Sequence, residues 1–152
     1  MAGDPSGETH DYGFGAPDVA ALRRVRDRFH RHEPLVERAV IDSPANPRTV
    51  HVELSDGIEG NGRFDIRWSE RGYYGFQYRE PEVDLACRFD CHPKPGTPDA
   101  HFHPPPDASA AVEPSCIEVR LPELVALAVL EAWRYAYEQR TLEAINRIEN
   151  PP

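Results

Sequence analysis

Four consecutive stretches of this chain alternate apolar and polar side chains with a period of two, and nothing else in the sequence constrains the fold as much. Val50, Val52 and Leu54 alternate with Thr49, His51 and Glu53, and Phe64, Ile66 and Trp68 alternate with Arg63, Asp65 and Arg67. Tyr74, Phe76 and Tyr78 alternate with Tyr73, Gly75 and Gln77, and Leu85, Cys87, Phe89 and Cys91 alternate with Ala86, Arg88, Asp90 and His92. A period of two sends successive side chains to opposite faces of a strand. The segments between are short and turn-like: glycine-rich from Asp56 to Gly62, tight at Arg71-Gly72, and broken at Glu80-Pro81-Glu82. Such a series reads as an antiparallel meander with one buried and one polar face.

Helices flank the meander. Pro17 suits a first helical position with Asp18 in the first turn, and Val19, Leu22, Val25 and Phe29 recur at helical spacing until Pro34 stops the run. Leu35 to Ile41 reads as a short strand and Ser43 to Pro47 as a turn. Pro122 opens a second helix expected to reach about Ile148. Its first half, Leu124 to Leu130, is apolar nearly all round, so it needs two covers: the sheet, and another helix or a partner. The expected fold class is α+β, an antiparallel four- to five-stranded meander packed on an N-terminal and a long C-terminal helix. One domain over 17–150 follows, with 1–16 a polar, glycine-rich, disordered tail.

Composition narrows the function classes. The net charge is −9, so the surface as a whole repels phosphate, and any nucleic-acid contact requires a local basic spot. The 17 Lys+Arg include one lysine, Lys94, leaving 16 arginines. Excess carboxylate with almost no lysine suits a protein adapted to concentrated salt, where screening shortens electrostatic reach to a few ångströms. The cysteines Cys87, Cys91 and Cys116 do not form a disulfide framework, and the first two read as small core residues. The opening residues lack the cationic and apolar regions of a signal peptide, and the apolar run at 124–132 is too short for a bilayer, so the expected location is cytoplasmic with no membrane contact.

The chemically pointed segment runs from Arg88 to His103. Strand alternation puts Arg88, Asp90 and His92 on one face, the same side as His51, Glu53, Asp65, Arg67 and Gln77, and the cysteines on the other. A carboxylate beside an imidazole fixes its tautomer and raises its basicity, and an arginine two residues away offers a planar fork for phosphate. His101 and His103 follow in a loop stiffened by Pro93, Pro95 and Pro104 to Pro106, which is expected to form neither helix nor central strand. Two separated histidines with an arginine are the minimal parts for phosphodiester cleavage without a metal. The bland alternatives are a cross-strand Arg88–Asp90 salt bridge, His51 as a structural strand histidine, and His10, His30 and His32 as solvated bystanders.

The stretch RFDCHPKPGTPDAHFHPPP, preceded by YYGFQY and followed by an apolar helix, resembles the TumE-like toxin family of toxin–antitoxin modules, over roughly Arg63 to the helix after Pro122. The resemblance implies a toxin component and places Arg88, Asp90, His92, His101 and His103 at the motif positions. Three functional readings stay open. One is a toxin acting on RNA by histidine acid–base chemistry, a metal-independent ribonuclease. Another is a non-catalytic interaction module in which the C-terminal helix docks an antitoxin or regulator. The third is a metal-binding hydrolase using Asp90, His92, His101 and His103; a metal ion is the sole cofactor these residues leave open.

Overall fold

The computed structural model describes residues 13–149. It is an α+β fold in which strands β1 (Val36–Ile41), β2 (Val50–Leu54), β3 (Arg63–Trp68), β4 (Tyr74–Glu80), β5 (Leu85–Cys91), β6 (Ala100–His103) and β7 (Glu113–Pro114) form one sheet in sequential order. Every neighbouring pair is antiparallel. Helices α1 (Val19–His32) and α2 (Pro122–Gln139) are the two α-helices among the described residues. Most of the expected tail, 1–12, and with it His10, lies outside the described residues. Residues 13–16 lie against the sheet: the Arg67 guanidinium sits 4.2 Å over the Phe14 ring, and Glu70 N–H donates to the Ala16 carbonyl.

The helices cover the face carrying Val50, Val52, Phe64, Ile66, Phe76, Tyr78 and Phe89, all buried. Phe29 of α1 reaches Phe64 edge-on at 5.1 Å, Phe64 meets Tyr78 at 5.1 Å, and Phe89 meets Phe102 at 4.7 Å. Each such ring removes about 1.5–3 kcal/mol worth of apolar surface from water. Cys87 and Cys91 project into this core, as their alternation requires.

The sheet has seven strands where four to five were expected. Of the two additional strands, β6 comes from the proline-rich segment and β7 follows it, and the positions of the prolines explain β6. None falls between Asp99 and His103, so β6 keeps every N–H needed to pair with β5. The last strand is two residues long and ends on Pro114, a blunt edge that resists further pairing.

The helix ends also differ from the expectation. Asp18 is the N-cap of α1, its carboxylate accepting from Ala21 N–H at 3.0 Å, and Pro17 precedes the cap. The C-terminal helix ends at Gln139 and does not continue to Ile148. Arg140 adopts a left-handed conformation (φ 59°), and a 3-10 turn at Leu142–Ala144 returns Leu142 and Ile145 to the core. The second cover for α2 is α1: Arg134 forks onto the buried Glu33 at the end of α1.

Candidate functional site

Register on the polar face aligns the site across strands. His51 lies opposite Asp65, Asp65 opposite Gln77, Gln77 opposite Arg88, and Arg88 opposite His103. The adjacent row runs Arg67, Gly75, Asp90, His101. The pairing of Phe102 with Phe89 on the core side sends both β6 histidines to the polar side. His92 follows β5, where its N–H still pairs with the Asp99 carbonyl at 2.9 Å.

Asp90 is the centre. Its Oδ2 accepts from Arg88 Nε at 2.9 Å and lies 3.0 Å from His103 Nε2, 3.6 Å from His92 Nε2 and 3.8 Å from His101 Nε2. Burial pushes this carboxyl up, but hydrogen bonding with His103 and His92 and the charge of Arg88 outweigh it and hold it well below the usual range. It is a fixed anion. The hydrogen bond with Asp90 raises the pKa of His92 against the effect of burial, whereas burial lowers that of His101. Arg88 also reaches His103, with Nη2 3.2 Å from Nε2.

The five residues singled out in the sequence thus meet around one oxygen, but they do not stand equally close to solvent. Arg88, Asp90 and His92 line a cavity of about 810 Å³. His101 is fully buried and His103 nearly so, and they back the Asp90 carboxylate without lining that cavity. The Pro104–Ser109 turn reaches His103 through the Ser109 carbonyl and is pinned by Ala86 N–H to the Pro106 carbonyl (2.7 Å) and Ala108 N–H to the Ala86 carbonyl (3.0 Å).

Other lining residues were not identified from the sequence as parts of a site. Arg71, Tyr73 and Phe14 join Arg67 around the opening, with Tyr73 and Phe14 6.5 Å apart. Arg71-Gly72 reads as a turn, and a turn signal carries no information about what its arginine faces. Gly75 is the other omission. A Cβ there would lie 3.1 Å from Asp90 Oδ1, so glycine gives the carboxylate its room. A glycine between Tyr74 and Phe76 in mid-strand is a readable signal of close approach. His51 pairs with Asp65 at 2.7 Å, and Arg63 and Arg79 bond the same carboxylate at 3.1 and 3.0 Å, a structural network beside the cavity.

The cavity therefore combines a local basic rim on an acidic protein, two aromatic rings, and an arginine–carboxylate–imidazole group at its floor. Asp65 is engaged by its own arginines, so it does not cancel the rim. A model of the family described as toxin TumE matches residues 22–141. No curated protein matches the chain, and no solved structure does.

Proposed function

Because the chain belongs to the toxin TumE family, we propose that it is the toxin component of a toxin–antitoxin pair and that it acts on RNA at the Arg88–Asp90–His92 cavity. The observation that carries the reading is the cavity itself. Its arginines supply phosphate-binding forks, its aromatic rings supply stacking faces for unpaired bases, and its floor holds an imidazole at the one-third exposed His92. The net charge of −9 gives no long-range attraction for nucleic acid, so recognition rests on these short-range contacts.

In this reading Arg88 clamps the scissile phosphate while the 2′-oxygen–phosphorus bond forms and the phosphorus–5′-oxygen bond breaks, and His92 takes the 2′-hydroxyl proton and returns it to the departing 5′-oxygen, leaving a cyclic phosphate. Asp90 fixes the orientation of both. His101 and His103 hold Asp90 in place from behind and do not touch substrate. An RNA 2′-hydroxyl is a nucleophile internal to the substrate, so the protein needs to position it and transfer protons, which suits a site with no serine or cysteine nucleophile at its floor.

The interaction-module reading loses its main motivation, because α1 supplies the second cover that α2 required. Large exposed apolar side chains among the described residues are Val83, in the turn before β5, and Leu121 and Tyr135, at the N-cap and near the C-terminal end of α2. Incubation of purified protein with total RNA, followed by analysis of fragment ends, tests the proposal. Cleavage by the wild type that falls at least about 100-fold in Arg88→Ala and in His92→Ala is expected from loss of a clamp or a proton-transfer group. Intact RNA, or cleavage equal in all three proteins, overturns it.

A further inference from the structure

The three histidines share one orientation, and in the most deeply buried of them, His101, hydrogen bonding within the protein does not account for it. In each ring Nδ1 lies against a backbone carbonyl: His92 on Pro93 at 3.0 Å, His101 on Asp99 at 3.0 Å and Pro98 at 3.2 Å, and His103 on Ser109 at 2.9 Å. A carbonyl oxygen only accepts, so Nδ1 carries the proton in each neutral ring and Nε2 presents a lone pair. All three Nε2 atoms face the same carboxylate oxygen. His92 and His103 are held there by hydrogen bonding with Asp90, and Arg88 Nη2 lies 3.2 Å from His103 Nε2. His101 has no such bond: the residue is fully buried, and its Nε2 has no hydrogen-bond partner. An orphaned acceptor at that depth costs about 1–3 kcal/mol.

We infer that Asp90, His101 and His103 are the ligands of a divalent transition-metal ion, held through one carboxylate oxygen and the two Nε2 atoms. Their ligand atoms already lie within 4.8 Å of one another, with 3.0 and 3.8 Å separating Asp90 Oδ2 from the two nitrogens. Metal–nitrogen bonds of about 2.0–2.1 Å spread tetrahedral ligands about 3.4 Å apart, so the site reaches ligand geometry by side-chain shifts of about an ångström or less. Backbone carbonyls on Nδ1 are the outer contacts that fix ligating imidazoles in this tautomer. Two imidazoles with one carboxylate select zinc, iron(II) or a similar ion over magnesium and calcium, which take oxygen ligands. The unmet lone pair of His101 then turns from a cost into binding energy, to which the negative charge of Asp90 adds.

Arg88 already occupies part of the same site. Its Nε and Nη2 bond Asp90 Oδ2 and His103 Nε2, two of the three ligand atoms, so the guanidinium stands where a cation belongs. Metal and guanidinium compete for these atoms. The Arg88 side chain is 36% exposed and lines the cavity, so a bound ion displaces it toward the cavity with its fork free for an anion. The inference concerns the ligand set and stands whether or not the substrate is RNA.

The test is a titration of untagged, chelator-treated full chain with Co²⁺, followed by calorimetry and visible absorption, and then displacement by Zn²⁺. One equivalent of Co²⁺ with the visible bands of a low-coordinate site is expected. Affinity should fall at least about 100-fold in His101→Gln and His103→Gln, since a three-ligand site loses a direct bond. In Arg88→Met, which removes the competing charge and keeps the stem, binding should tighten. Folding of each variant is checked by circular dichroism. If a histidine variant does not fold, long-range ¹H–¹⁵N spectra of the wild type replace it: Zn²⁺ should shift the Nε2 signals of His101 and His103 and leave their Nδ1 protons in place. Absence of stoichiometric binding by folded wild type and Arg88→Met overturns the inference, as does equal binding by the histidine variants or unmoved Nε2 signals. Since binding is the readout, cobalt uptake by a protein that leaves RNA intact supports the metal site and removes only the substrate reading.

Discussion

Replacing Glu80 should destabilise the fold far more than its place beside a turn suggests. The side chain is fully buried at the end of β4, and its carboxylate accepts four hydrogen bonds. Oε1 takes the N–H groups of Glu59 and Gly60, each at 2.8 Å, while Oε2 takes Ile58 N–H at 2.6 Å and the Tyr78 hydroxyl. The glycine-rich 56–62 loop is thus wound around one anion. Gly57 is part of the arrangement, since a Cβ there would lie 2.7 Å from Oε2 and 1.9 Å from the Gly60 carbonyl. Hydrogen bonds to a charged group contribute about 1.5–3 kcal/mol each, nominally about 6–12 kcal/mol for four. The sum overstates the effect, because removing the carboxylate also removes its own desolvation cost and admits water to the freed N–H groups. A loss of about 3–5 kcal/mol remains for Glu80→Ala, the usual cost of deleting one side of a buried charged network. For a chain of this size that is a fall of about 6–20 °C in Tm. Glu80→Gln keeps the shape but turns an amide donor toward existing donors, and should cost about 2–3 kcal/mol. Glu82→Ala, two residues on and exposed, should stay within about 0.5 kcal/mol of the wild type. Urea unfolding of the four proteins checks this. Glu80 variants that unfold within about 1 kcal/mol of the wild type would refute the reasoning, since even one orphaned buried donor costs that much.

Other predictions concern the polar face. Gly75→Ala should leave stability within about 0.5 kcal/mol of the wild type while lowering RNA cleavage about tenfold or more, because its methyl group meets Asp90 Oδ1 at 3.1 Å and misplaces the carboxylate. Paired unfolding and cleavage measurements check it, and unchanged cleavage contradicts the role given to Gly75. The carboxyl of Asp65 is opposed by burial, but the hydrogen bond with His51 and the charges of Arg63 and Arg79 prevail and lower its pKa. A depressed folded-state pKa contributes stability above the unfolded value of about 3.9 and loses it as pH falls through the folded one. Asp65→Asn should therefore be less stable than the wild type at pH 7, with the gap narrowing below about pH 4. A constant difference across that range, in urea unfolding at each pH, would rule the network out as its source.

Period two made the meander legible, and it carried the site with it. Once Phe89 and Cys91 face the core, Arg88 and Asp90 have no choice of side, and the register of β5 with β4 confirms their row. In the proline-rich segment composition points to a loop, whereas the positions of the prolines decide the structure. Prolines at 98 and 104 flank β6 and do not enter it, so they limit the strand's length without preventing it. Period two then applies to His101 and His103 as well. The end of α2 was not legible, because Arg140 gives no sign of a left-handed cap of the kind glycine would. Depth was hidden too. Sequence alternation assigns a face but not a cover, so the burial of His101, and of His103 against the Pro104–Ser109 turn, required the tertiary structure. The long-range contacts of Glu80 with 58–60 were invisible for the same reason.

In the proposed function, RNA is held at the Arg88–Asp90–His92 cavity. A titration of ¹⁵N-labelled protein with a short single-stranded RNA blocked by 2′-O-methyl groups, which binds but cannot be cleaved through its 2′-hydroxyl, measures that directly. Amide and side-chain shifts should concentrate at Arg67, Arg71, Tyr73, Arg88 and His92, and should vanish in the Arg88→Ala, Arg71→Ala double variant. Shifts confined to α1 and α2, or no saturable shifts anywhere, would contradict it.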